Sequence, residues 1–439
     1  APATPCPAAA SSPPRPPSLP ATSSRAARTS RPQHPRSHLP VPDARAARLF
    51  SRPLGPSPPL PPAGCGAARM RGLTRAGKRA SEMALNAGGG TINWFPGHMA
   101  AASRAIRDRL KLADLVIEVR DSRIPLSSAN EDLQPVLAAK KRILALNKKD
   151  LANPNIMNMW LDHFQSCKQD CISINAHSSN SINQLLGLVE LKLREAILKE
   201  PTLLVMVVGV PNVGKSALIN AIHRIAISRF PVNDKIKRAT VGPLPGVTQD
   251  IAGYKISSQP SIYVLDTPGV LVPSIPDMET GLKLALTGAV KDSVVGEERI
   301  AKYLLSLLNI RKTPLHWERL LHRREDFDEE PGGRSVKGSR DSLRRRNRLN
   351  NSDAVYVQDL VMEVQRTLCS TTMEFTGNLD DDNELEGLID AQLVALRKVF
   401  RIPHKPLDES HGPVSKKLLT LFRSGKLGPF ILDDLPGQQ

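Results

Sequence analysis

Gly209-Val210-Pro211-Asn212-Val213-Gly214-Lys215-Ser216 directly follows an apolar run at 203–208 and opens a segment of helical periodicity at 216–227. That order of strand, glycine-rich turn and helix is the one a phosphate-binding loop requires. Its glycines let successive backbone N–H groups face one anion, and the helix N-terminus adds positive potential. Lys215 is expected to reach the β and γ oxygens of a nucleotide and Ser216 to ligate Mg2+, with Asn212, Val213, Gly214 and Ala217 lining the same loop.

Two downstream segments fit the same site. Asp266-Thr267-Pro268-Gly269 follows a strand pattern at 262–265, which places Asp266 at a strand end within reach of the magnesium shell and lets Gly269 offer its N–H to the γ-phosphate. Between the two lies Gly242-Pro243-Leu244-Pro245-Gly246-Val247-Thr248, a segment with one hydroxyl suited to closing on Mg2+ in the triphosphate state. Thr248 is preferred to Thr240 for that role.

The base is read upstream. Recognition of guanine needs a carboxylate that accepts from the ring N1–H and the exocyclic amine, together with an amide and an aliphatic stem over the ring face. Asn147-Lys148-Lys149-Asp150, at the end of a strand pattern over 142–146, supplies Asp150, Asn147 and Lys148 for these roles, with Lys149 in the same loop. Alone the tetrapeptide would be a solvated turn; beside a phosphate loop it predicts guanine specificity. Ser173-Ile174-Asn175-Ala176 ends the next strand pattern, and Ala176, with Asn175 before it, is positioned to offer an N–H to the guanine O6.

Base recognition therefore precedes phosphate binding, a circular permutation of the usual order. Domain termini lie at the surface and often close together, so joining them and cutting elsewhere preserves a core. The join is the helical stretch 182–198, with Ile182, Leu185, Leu186, Val189, Leu193 and Ile197 on one face. Further strand patterns occur at 115–119, 171–174 and 254–257, and helical ones at 101–112 and 130–139. The expected fold is α/β: a circularly permuted P-loop GTPase domain at 90–278, a mostly parallel sheet with helices on both faces. Strand signals vanish near 280, so a smaller all-helical domain is expected at 279–322 and 353–432. The Arg-rich, mixed-charge stretch 323–352 reads as an unstructured insertion.

Net charge is +17, and most of the excess sits in residues 1–80, where twelve arginines and Lys78 face the single acid Asp43. Residues 1–85 are thus expected to be a basic, unstructured extension in the Arg- and Ser-rich style of an organelle transit peptide, although its proline load is unusual for one. If translation starts at Met70, the run Arg71-Gly72-Leu73-Thr74-Arg75-Ala76-Gly77-Lys78-Arg79 still forms a short basic leader. Five scattered cysteines argue against a disulfide framework or a paired zinc site and point to a reducing compartment. The longest apolar run, 203–210, is far below the ~20 residues that cross a bilayer, so no integral membrane association is expected.

Ile92-Asn93-Trp94-Phe95-Pro96-Gly97-His98-Met99, the triplet Asp121-Ser122-Arg123 and Gly281-Leu282-Lys283-Leu284-Ala285-Leu286 narrow the match. Together with the permuted order they resemble the circularly permuted ribosome-assembly GTPases: the bacterial large-subunit assembly GTPase, its mitochondrial ribosome-associated counterpart and, most closely, the plant DAR GTPases of the mitochondrial SHORT INTEGUMENTS type. The likeness is strong over residues 90–310 and looser beyond; Ser122 stands where the family triplet has alanine. It implies a GTPase that drives or checks assembly of the mitochondrial large ribosomal subunit by docking onto its rRNA and proteins, hydrolysing GTP and leaving. It also implies a K+ ion at Asn212, a role in hydrolysis for His98 and a location in the mitochondrial matrix, with the chloroplast as the alternative. A monomer is expected.

The position after Asp266-Thr267-Pro268-Gly269 is Val270, where many GTPases carry a glutamine that orients the attacking water. Valine cannot hydrogen-bond water, so hydrolysis needs another residue, a cation or a partner. His98 is a candidate catalytic group from within the chain, against the simpler reading of a histidine packed beside Trp94 and Phe95. Two competing functions fit the same residues: a GTP-gated adaptor for protein or membrane partners with hydrolysis incidental, and a nucleotide-binding scaffold without turnover.

Overall fold

The computed structural model describes residues 77–82, 95, 97–229, 252–258, 261–271, 275, 277–322, 343–403 and 410–436, the side chains of 98, 227–229, 252, 254–258 and 343–354 excepted. All lie in one compact unit, Pro62–Gln439. The first part of the chain runs α1 (Gly97–Leu110), β1 (Leu115–Asp121), α2 (Gln134–Ala138), β2 (Arg142–Asn147), α3 (Pro154–Ser166), β3 (Cys171–Ser173), α4 (Ser179–Ile197), β4 (Thr202–Val208), α5 (Lys215–Arg229), β5 (Ala252–Ser258) and β6 (Ser261–Asp266). All six expected strands are present.

They form one sheet in the order β3-β2-β1-β4-β6-β5. β3, β2, β1, β4 and β6 are parallel, and β5 closes one edge antiparallel to β6. β1 sits near the centre and all seven of its residues are buried. Leu115, Ile117 and Val119 enter a core shared with Leu185 and Val189 of α4 and Leu218 and Ile222 of α5. Val116, facing the other way, meets Ala102, Ile106 and Leu110 of α1. Burial on both faces is why the parallel strands read as continuous apolar runs rather than alternating ones.

α3 was not anticipated. Asn153 accepts from the backbone N–H groups of Asn155 and Ile156, and Pro154 occupies the first turn, so the helix start is well specified. Met157, Trp160 and Phe164 recur at helical spacing and pack on Leu144 and Leu146 of β2.

After β6 the described residues contain helices alone: α6 (Met278–Leu286), α7 (Asp292–Val295), α8 (Glu297–Ile310), α9 (Arg319–His322), α10 (Leu343–Glu374), α11 (Asp382–Val399) and α12 (Gly412–Arg423), with a 3-10 turn at Thr313–Trp317. Leu284, Leu304, Leu368, Leu393 and Phe422 belong to the same apolar cluster as the strands, so the core runs on from sheet to helices.

Two boundaries shift from the sequence reading. Residues 77–82, expected within the extension, form a helical turn: Ala80 is buried in the main core and Arg79 pairs with Asp382 at the start of α11. α10 begins at Leu343, inside the stretch read as an insertion, where arginine is itself a good helix former. Residues 323–342 lie outside the described ones. Among the described residues no helix is long and apolar enough to cross a membrane.

Candidate functional site

Parallel strands send all their carboxyl ends to one edge of a sheet, and ligands of open α/β folds bind in the crevice there. β1 ends at Asp121, β2 at Asn147, β3 at Ser173, β4 just before Gly209 and β6 at Asp266. The segments picked out in the sequence as base, phosphate and metal loops therefore share one rim.

The phosphate loop needs glycine at two positions. Gly209 has φ 151°, and a side chain there would collide with the carbonyl oxygen of Val119 on β1. Gly214 has φ 94°, and a side chain would collide with the amide of Asn147. Asn212 adopts the left-handed region at φ 59°, which asparagine tolerates better than most residues. Its Nδ2 donates to the carbonyl of Gly288, 2.7 Å away in the turn after α6.

Asn147 ties the loops together. The residue is 2% exposed; its Nδ2 donates to the Val213 carbonyl at 2.8 Å, and its Oδ1 accepts from the Ala176 N–H at 3.0 Å. Lys148, at φ 63°, donates from Nζ to the Asn212 carbonyl at 2.6 Å and to Asp121 Oδ2 at 2.9 Å. The Lys149 N–H donates to the Ile174 carbonyl, and the side chains of Lys149 and Asp150 are exposed. Asn175 accepts from the His177 N–H, which closes the turn that presents Ala176.

On the phosphate side Lys215 is 6% exposed and curls back onto its own loop, donating to the carbonyls of Gly209 (3.1 Å) and Val210 (2.9 Å). Burial pulls its ammonium down to about 8, against the opposing pull of Asp266. Asp266 is pushed up by burial, with Lys215 and the Ser216 hydroxyl working the other way. Ser216 Oγ donates to Asp266 Oδ2 at 3.0 Å, whereas the buried Oδ1 has no hydrogen-bond partner among the described residues. Thr267 Oγ1 anchors the following turn on the Val207 carbonyl at 2.7 Å. Gly269 rests on Pro211, whose Cα would lie 2.5 Å from any added Cβ.

These features fit a nucleotide phosphate and a divalent cation. A buried ammonium whose hydrogen bonds among the described residues go to carbonyls, and a buried carboxylate with one orphaned oxygen beside a serine hydroxyl, can each take a ligand of opposite charge. Val270, by contrast, is 1% exposed and packs with Val116, Met206 and Val208, while its carbonyl accepts from Asn130 Nδ2. Its side chain belongs to the core, not to the rim.

Thr248 lies outside the described residues, as does the side chain of His98, whose backbone opens α1. The sequence reading missed the part played by Asp121. It treated the triplet as a family marker, although Asp121 ends the strand between those carrying the base and phosphate loops, which is itself a positional signal. It also missed the C-terminal segment: the Phe430 N–H donates to the carbonyl of Leu151, next to Asp150, and the Leu432 N–H donates to that of Arg123.

The description "50S ribosome-binding GTPase" belongs to the family whose model matches residues 204–327. Short integuments 2, mitochondrial, from Arabidopsis thaliana is 66% identical over 352 residues, covering 79% of this chain and 90% of that protein. DAR GTPase 2, mitochondrial, from the same plant is 39% identical over 345 residues, covering 77% and 90% respectively. Ribosome biogenesis GTPase A from Bacillus pumilus is 36% identical over 225 residues, covering 50% of this chain and 75% of that protein.

The state of Lys215 yields a pH dependence. Its folded value of about 8 lies below the ordinary 10.5, so the cost of its buried charge is full below pH 8 and fades as pH rises towards 10.5. In the absence of nucleotide, wild type is expected to gain stability relative to Lys215→Met over that window, read from urea midpoints. A difference between the two that stays constant across the window would overturn the buried-charge account.

Proposed function

The chain belongs to the circularly permuted ribosome-assembly GTPases, and from that premise we propose that its sheet rim binds and hydrolyses GTP to drive or check assembly of the mitochondrial large ribosomal subunit. It is a GTP hydrolase of the family's type; the residue roles, the subunit and the compartment are our reading. The observation that carries it is the Asn147 side chain, which joins the phosphate loop at Val213 to the 173–176 loop at Ala176. One buried amide thus links three segments that sequence logic assigned separately to one guanine nucleotide.

In this reading Asp150 accepts from the N1–H and amine of guanine, the Ala176 N–H meets O6, and the Lys148 stem covers the ring. Asn147 holds those groups in register, and Asn175 shapes the turn. The backbone N–H groups of Val213, Gly214, Lys215, Ser216 and Ala217 face the phosphates, and Gly269 contributes another. Lys215 exchanges its carbonyl partners for phosphate oxygens, which stabilise its buried charge. Ser216 and Asp266, with Thr248, would hold Mg2+, which neutralises charge developing on the transferred phosphoryl group. Asn212 would hold K+ through its amide oxygen, since its nitrogen is committed to Gly288.

Because Val270 is packed away in the core, the attacking water has to be oriented by another group, and His98, next to the start of α1, is our assignment. Two of the relatives carry the word mitochondrial in their names and a third is a ribosome biogenesis GTPase; with the basic N-terminal stretch, these support action in the mitochondrial matrix on the large subunit.

Co-sedimentation with mitochondrial large subunits should be strongest with a non-hydrolysable GTP analogue and fall steeply with salt, because phosphate contacts release counterions. Binding that ignores nucleotide and salt would reject the assembly role. His98→Ala should lower kcat by roughly 100-fold with little change in GTP affinity, as for a water-orienting group, when single-turnover hydrolysis is measured beside nucleotide titration. Wild-type rates, with and without subunits, would exclude it. Turnover should also be faster in KCl than in NaCl; equal rates would remove K+ from Asn212.

A further inference from the structure

Asp121 is 2% exposed and both of its carboxylate oxygens are committed. Oδ1 accepts from the Arg123 N–H at 3.0 Å and from Arg123 Nε at 2.9 Å. Oδ2 accepts from Arg123 Nη2 at 2.8 Å and from Lys148 Nζ at 2.9 Å. Burial works against the charged form, but Arg123 and Lys148 outweigh it and hold the carboxyl well below the ordinary range, so Asp121 stays ionised. Arg123 is immobilised in turn: its side chain is 3% exposed, its guanidinium lies 5.7 Å from the Phe422 ring centroid, and its carbonyl accepts from the Leu432 N–H at 2.7 Å.

Lys148 differs from these two. A quarter of its side chain is open to solvent, its backbone is left-handed, and among the described residues its other hydrogen bond goes to the neutral Asn212 carbonyl, with the exposed Asp150 carboxylate adding a weaker pull. A lysine stem has four rotatable bonds, and a lone carbonyl does not oppose the pull of solvent on an ammonium as a fixed carboxylate does. Register across the sheet supplies that carboxylate, because Asp121 stands directly beside Asn147, the residue before Lys148.

We propose that Asp121, clamped by Arg123, is a positioning residue for the nucleotide site: its carboxylate fixes the Lys148 ammonium and so presents the lysine stem to the guanine ring. This rests on the reading of Lys148 as a base-contacting residue. It gives the Asp121-Ser122-Arg123 triplet a task in nucleotide binding. It also makes the base site dependent on α12 and the segment after it, which hold Arg123.

A double-mutant cycle on the full chain tests this with a fluorescent GDP analogue, thermal unfolding of each nucleotide-free variant being followed in parallel. Lys148→Met is expected to weaken binding, and Asp121→Asn to weaken it by roughly tenfold, the scale of one charge-assisted hydrogen bond. Combining them should cost no more than Lys148→Met alone, because residues acting through one interaction are not additive. A purely structural Asp121 would lower thermal stability and give losses in affinity that multiply in the double variant, which overturns the proposal. So would wild-type affinity in Asp121→Asn beside a weakened Lys148→Met. Wild-type affinity in Lys148→Met, which keeps the stem but not the ammonium, would also overturn the proposal, whereas wild-type affinity in Lys148→Ala would remove the base-contact reading on which it stands. Should Asp121→Asn fail to fold, Asp121→Glu keeps the buried charge for Arg123 but displaces the oxygen from Lys148. Its loss must likewise vanish in the Lys148→Met background, and a loss that persists there counts against the proposal.

Discussion

The rim of this sheet depends on the amide of Asn147. Its nitrogen and oxygen face opposite ways, one to the phosphate loop and one to the loop after β3, and both bonds are sealed from water. Each such bond contributes about 1 kcal/mol net, but an orphaned buried partner costs about 1–3 kcal/mol, so the pair is stabilising mainly because its absence is penalised. Gly214 completes the constraint, since only a residue without a side chain lets the phosphate loop approach that amide. The loops for phosphate and base thus form one object, although more than sixty residues separate Asn147 from Val213 in the chain.

The helical region is joined to the same object. Arg423, the last residue of α12, donates to the carbonyls of Ala285 and Leu286 at the end of α6 and pairs with both oxygens of Asp292. A helix C-terminus has unpaired carbonyls and negative potential, and an arginine there answers both. Two residues further on, Gly288 gives its carbonyl to Asn212 of the phosphate loop. Asp433 caps the start of the 126–128 turn through the N–H groups of Leu126 and Ser127, and pairs with buried Lys283 of α6. Sheet and helices therefore share polar anchors as well as a core.

Much of this was readable from the chain because apolar runs, turn glycines and loop motifs coincide. The apolar run at 203–208 announced the strand β4, and the glycine-rich loop after it announced the helix that follows. α3 escaped notice although Asn153-Pro154 and the spacing of Met157, Trp160 and Phe164 mark it. Asp121 escaped because its partner Lys148 is fixed by strand order, which composition does not encode: β1 lies between β2 and β4 only once the sheet is assembled. The turn at 77–82 and the early start of α10 escaped for the related reason that their sequences are rich in charged and polar residues, and tertiary contacts or neighbouring turns decide whether such stretches are helical.

The strand order has a consequence for synthesis. A chain emerges N-terminus first and its parts begin to associate as they appear. Here β1, β2 and β3 are complete before β4, and they pair with one another in the order β3-β2-β1. One flank of β1, the most buried strand, stays open until β4 arrives, and an open flank of unpaired N–H and carbonyl groups invites wrong pairing. α4, the long helix that the permuted order inserts between β3 and β4, is made just before that flank is closed and packs on the same core face as Leu115, Ile117 and Val119. The helix that rejoins the permuted halves thus comes in time to cover one apolar face of that sheet, while its open flank is closed by β4 alone.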